Sequence, residues 1–313
     1  MSSFIFSVNV ILPIFMLMIL GYVLKICGYF DDMIVSRLNR LLFNIFLPIM
    51  LYNSIADSSV RIADNIRSVS LSLGILIIVI IIFTLLVNIF EKDNSRRGVM
   101  IHGIFRSNYM LFGIPIASSL LEESQVGMAG IIIAFLIPFY NVFGIIVIEY
   151  YKNREKINYR KMAIDILKNP MIIWCILGIV TAVFEVNLPQ FLKVAITSTG
   201  KIGSPLALIV LGASFKLSSI KNTYRQVIFS SLSRLVIVPA IIIPACMVMN
   251  LSRTEFVCIL PMIVSPTATA TYTVAEQMGG DSELASQIVV FTSMFSVVTI
   301  TMIIFFLKEL LVI

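Results

Sequence analysis

The residues of this chain with chemistry to offer sit in stretches otherwise apolar enough for a bilayer. The first such stretch, residues 104–121, carries Arg106, Asn108, Gly113 and Pro115. Pro115 has no N–H to give the carbonyl of Leu111 and its ring clashes there, so a helix must bend or break nearby and leave backbone polar groups open. Such groups survive in hydrocarbon only beside protein or water. Asn108 precedes Pro115 by seven residues, close to two helical turns, which puts its amide on the face of the break. Taken alone, Pro115 fits a kinked packing helix equally well.

The second stretch, residues 256–275, holds Pro261 and Pro266 followed by Thr267, Thr269, Thr271, Tyr272 and Thr273. A hydroxyl beside a proline can satisfy the carbonyl the proline frees, here that of Met262. Five hydroxyls in seven residues exceed what one broken bond requires. A break over Ser265–Thr269 opposite Asn108 would let the others hold a small ligand or an ion. The candidate binding residues are therefore Asn108, Gly113, Pro115, Ser265, Pro266, Thr267, Thr269 and Tyr272. Asn44 beside Pro48, Asn141 near Pro138, and Lys201 are secondary candidates for the same cavity.

Three basic residues lie deep in apolar stretches. Arg106 and Arg234 sit about 12–15 Å inside theirs at 1.5 Å per residue. From that depth a long basic side chain can reach the headgroups, or it can serve a function; the sequence leaves both open. Lys201 is either a counter-charge for an anion or a residue facing a second copy of the chain. His102, one turn before Arg106, reads as a hydrogen-bonded structural histidine ahead of a proton relay. No acidic residue occupies the middle of an apolar stretch, so a coupling proton has no obvious carboxylate to travel through.

The same inventory excludes much. No pair of carboxylates, Ser/Lys dyad or set of metal ligands faces itself at depth, so no catalytic residues, metal or cofactor are assigned. Cys27, Cys175, Cys246 and Cys258 are scattered without metal or disulfide spacing, and no phosphate-binding loop is present.

The elements that must position these residues are membrane helices. Of 313 residues 59% are hydrophobic and 13% charged, with a mean hydropathy of +1.01, against about 25% charged in soluble domains. The chain reads as an all-α, multi-pass membrane protein whose first apolar segment is a retained span rather than a targeting peptide. A net charge of +6 comes from basic residues in short loops, which points to orientation in the bilayer and away from nucleic acid.

At about 20 apolar residues per span, ten spans are expected: 4–26, 34–56, 69–90, 98–121, 125–150, 170–186, 190–215, 225–250, 254–277 and 284–312. With both termini outside, fifteen Lys and Arg lie on the cytoplasmic side and five outside, the orientation that the positive-inside rule favours. The hydrophilic stretch 152–169 then divides a five-span half, 1–151, from a second, 170–313. An odd number per half inverts the second, the plan of many secondary transporters. Pro48 and Pro115 in the first half are echoed by Pro205 and Pro266 in the second.

Asn108-Tyr-Met-Leu-Phe-Gly113-Ile-Pro115 resembles the N-x-x-x-x-G-x-P segment of the auxin efflux carrier family, which includes plant PIN carriers and bacterial organic-anion permeases. Gly21-Tyr-Val-Leu, Phe43 through Pro48, Pro205 through Ala213 and Pro266 through Ala275 extend the likeness over essentially the whole chain. The short central stretch looks bacterial-type. The resemblance implies a ten-span carrier in the plasma membrane whose fourth and ninth helices cross where they unwind, with a substrate carboxylate near the crossing and Asn108 as its contact. The partners implied are a small organic anion and membrane lipid, with a proton or sodium ion for coupling and a homodimer left open. An uncoupled anion channel or facilitator is the competing reading, and an intramembrane enzyme a third.

Overall fold

The computed structural model describes residues 2–56, 66–152, 164, 167–215 and 220–310. Arg61 and most of the 152–169 linker, with four of its basic residues, lie outside them, as does Lys216. Among the described residues the only β-pairing is one isolated bridge, and everything else regular is helix. In order these are α1 Ser2–Ile26, α2 Asp32–Leu41, α3 Leu47–Ala56, α4 Ile66–Phe90, α5 Asn94–Phe105, α6 Tyr109–Leu120 and α7 Glu123–Lys152. There follow α8 Pro170–Val183, α9 Gln190–Ser214, α10 Ile220–Leu232, α11 Val238–Val248, α12 Arg253–Val264, α13 Ala270–Met278 and α14 Ser282–Glu309. Among the described residues six helices, counting the continuous α2–α3 and α10–α11 as one each, are long and apolar enough to cross a membrane.

Helix starts follow local chemistry. Asp31, Asp93, Asn169 and Asp281 each accept a backbone N–H in the first turn of the helix they precede, and Ser252 with Glu255 forms a reciprocal capping box at α12. Two π-helical segments, Leu42–Phe46 and Ser233–Ile237, join α2 to α3 and α10 to α11. Each ends two residues before a proline, Pro48 or Pro239. The widened turn accommodates a ring that would clash with the carbonyl four residues back.

Packing sorts the helices into two bundles, each drawn from both halves of the sequence. One comprises α1, α2–α3, α8 and α9. The other comprises α4–α7 and α10–α14. In the first, α1 and α9 touch backbone to backbone: a Cβ on Gly21 would strike the Ile209 carbonyl and one on Gly212 the Met18 carbonyl. Only glycine permits that approach.

Two chain segments are broken in mid-course, and the first break, expected near Asn108–Pro115, lies at the Asn108 end of that stretch and not at the proline. Between α5 and α6 the residues outside helix are Arg106–Asn108, with Arg106 extended, and Pro115 sits inside α6. The break comes seven residues before the proline because the chain there pairs with the second break instead of with itself. That second break, Ser265–Thr269 between α12 and α13, falls where Pro266 placed it.

Candidate functional site

The two breaks cross and bond to each other. Ser107 and Thr267 form an antiparallel bridge, with the Asn108 N–H donating to the Pro266 carbonyl (2.8 Å) and the Ala268 N–H to the Arg106 carbonyl (3.1 Å). Extended backbone at this depth is tolerable only because each segment satisfies the other. Thr267 donates its hydroxyl to the Gly103 carbonyl (2.7 Å) and its backbone N–H to the Thr292 hydroxyl (3.2 Å).

Pairing settles the direction of four half-helices. α5 and α12 end at the crossing and α6 and α13 begin there, so two negative C-terminal ends and two positive N-terminal ends meet in one place. Arg234 occupies the C-terminal side. It is 1% exposed and donates Nε to the Ser265 carbonyl (2.8 Å), one terminal nitrogen to Met262 (2.7 Å) and the other to Ile104 (3.2 Å). Arg234 therefore does not snorkel. Met262 is the carbonyl that Pro266 frees, so its partner is this guanidinium and not the neighbouring hydroxyls. The π-helical Ser233–Ile237 aims the side chain.

The N-terminal ends face a cavity of about 50 Å³ between the two bundles. Asn108, Tyr109, Thr269 and Ala270 line it from the crossing, with Arg106 and Ser107; Leu47, Met50, Leu51 and Ser204 line it from the first bundle, and Ile137 and Tyr140 from α7. Asn108 is 6% exposed and its amide nitrogen has no hydrogen-bond partner. A buried donor left unpaired is costly; here it borders the cavity. Among the described residues no acidic side chain contributes to the wall.

Arg106 is buried as well and does not reach a headgroup. One terminal nitrogen donates to the Asn141 side-chain oxygen (2.8 Å) and the other approaches His102 Nε2 (3.4 Å). Asn141, itself held by donating to the Ile137 carbonyl (2.9 Å), thus positions Arg106 instead of lining the cavity. The Ser107 and Tyr140 hydroxyls lie 2.9 Å apart.

The remaining candidates are dispersed. Gly113 and Pro115 lie farther along α6, and a side chain on Gly113 would overlap the Tyr109 ring. Ser265, Pro266 and Thr267 build the crossing, the Ser265 hydroxyl being buried without a partner. The Tyr272 hydroxyl accepts from Ser214 at the end of α9 (2.5 Å), a polar link between the bundles. Asn44 donates to the Arg40 carbonyl (2.7 Å) on an exposed face, Pro48 is buried beside the lining residue Leu47, and Lys201 is exposed on α9. Met50, Ser204 and Tyr140 were missed because neither polarity nor spacing marks them; they flank the prolines Pro48, Pro205 and Pro138.

Comparison with known proteins points to membrane transport. An uncharacterized transporter of Methanocaldococcus jannaschii is 24% identical over 306 residues, covering 94% of this chain and 96% of that protein. A family model described as membrane transport protein matches residues 6–304, nearly the whole chain, and the protein therefore belongs to that family of auxin efflux carrier-like transporters.

Proposed function

We propose that this transporter is a secondary carrier that moves a small organic anion, a carboxylate, across the cell membrane by alternating access. The observation that carries the reading is the unpartnered Asn108 amide, bordering a cavity onto which α6 and α13 direct their positive ends. A neutral amide donates hydrogen bonds to a carboxylate, and two half-helix N-termini add about +0.5 charge each. With Arg234 taken up by the opposing C-terminal ends, no acidic side chain among the described residues of the wall cancels that potential at the cavity.

The cavity volume bears on the mechanism. A site of about 50 Å³ takes a few waters, whereas a cavity of about 150 Å³ holds benzene. In this reading a multi-carbon anion enters as the bundles part, which is the motion of a carrier and not of a standing pore. In this reading α5–α6 and α12–α13 are the fourth and ninth of ten spans, 1–151 and 170–313 are inverted repeats, and both termini are extracytoplasmic.

Uptake into proteoliposomes tests it, using a panel of mono- and dicarboxylates under separately imposed proton, sodium and voltage gradients. Saturable uptake with counterflow is expected for at least one carboxylate. Flux that neither saturates nor shows counterflow would mean a channel, and the absence of carboxylate flux would remove the substrate class. Orientation is tested by impermeant labelling of single cysteines at Glu122 and Lys152, with reaction expected only at the first.

A further inference from the structure

Arg106 differs from Arg234 in what surrounds it. Arg234 gives its charge to three carbonyls at helix C-termini. Arg106, 5% exposed and in the cavity wall, is bonded only to the neutral Asn141 and His102. A guanidinium only donates, so His102 Nε2 must accept, and the ring is neutral with its hydrogen on Nδ1. The ion pairs among the described residues, Lys25–Asp32, Arg67–Glu255, Arg96–Asp93 and Arg96–Asp281, all lie at helix ends. Among the described residues no carboxylate balances Arg106.

An ionised group buried without a counter-charge is strongly disfavoured, and a carboxylate entering the cavity relieves that cost while gaining a charge-assisted bond. We propose that Arg106 selects the substrate's charge: its guanidinium pairs with the carboxylate that Asn108 orients. Asn141 and His102 are positioning residues. Gly144 provides the room, because a Cβ there would overlap the His102 ring. This inference rests on the reading that a carboxylate occupies the crossing, and it assigns anion-over-neutral discrimination to one side chain.

The test compares acids with their neutral isosteres. Acetate, lactate, malonate and benzoate, each beside its primary amide, are titrated against the full-length protein in lipid nanodiscs, with thermal stability measured on the same preparations. Wild type should prefer acid to amide by about a hundredfold. Arg106→Gln should bring that ratio to within a few-fold, Arg106→Lys should keep most of it, and Gly144→Ala should lower it by displacing His102 and Arg106. Asn108→Ala should weaken acid and amide together and leave the ratio standing. A purely structural role for Arg106 would not move a ratio read on one folded preparation. Folded Arg106→Gln with an unchanged ratio overturns the inference alone; a wild type that binds none of the acids, or binds them regardless of Asn108, overturns the crossing site as well.

Discussion

Replacing Arg234 by methionine keeps much of the side chain's volume and removes all of its donors. Three buried carbonyls, Ile104, Met262 and Ser265, would then lose their partner, and Met262 has no backbone alternative because residue 266 is a proline. At about 1–3 kcal/mol for each buried polar group left unpaired, the gross loss is roughly 3–9 kcal/mol. Relief from burying a guanidinium offsets several kcal/mol of it. We expect a net destabilisation of about 2–4 kcal/mol, a fall in melting temperature of roughly 3–6 °C by the scaling of unfolding entropy with chain length. Arg234→Lys should fall between, since one ammonium cannot reach three carbonyls in different directions. The assay is thermal unfolding of wild type and both variants in identical nanodiscs, followed by loss of helical signal. Arg234→Met melting within about 1 °C of wild type would refute the claim that this side chain holds the crossing together.

Gly21→Ala should destabilise the first bundle by about 1–3 kcal/mol, the usual cost of forcing packed elements apart, and a melting curve beside that of Gly74→Ala, where a Cβ meets nothing, checks it. Tyr272→Phe removes the link to Ser214 and should leave carboxylate affinity within a few-fold while increasing labelling of a cysteine placed at the neighbouring Phe215; unchanged labelling would mean that the contact does not hold the bundles closed.

Much of this was legible in the sequence because membrane helices obey a simple length rule and because proline and asparagine are rarely idle in hydrocarbon. The second break fell on Ser265–Thr269 as the residues indicated. The first did not fall on Pro115, since a proline costs one backbone bond while pairing between breaks supplies two, at Asn108 and Ala268. That pairing joins residues 160 apart in the sequence, and no local pattern reports it. Arg106 and Arg234 were ambiguous for the same reason: depth along a helix was readable, but whether the side chain points to lipid or to the crossing depends on the π-helical turn before Pro239 and on Asn141 from another helix. The apolar cavity wall from Leu47, Met50 and Ile137 looks like any lipid-facing surface until the bundles are assembled.

Affinity for a transported carboxylate, measured on wild type, Asn108→Ala and Asn108→Asp in the same membranes, tests the crossing site most directly. The account predicts binding about ten- to a hundredfold weaker for Asn108→Ala, from loss of one hydrogen bond to a charged group worth about 1.5–3 kcal/mol. Asn108→Asp should be weaker still, because an ionised aspartate repels the ligand. Thermal stability of Asn108→Ala should not fall, since the amide nitrogen bonds nothing in the protein. A well-folded Asn108→Ala that binds and carries the carboxylate as wild type does would contradict the account and return the crossing to a purely structural role.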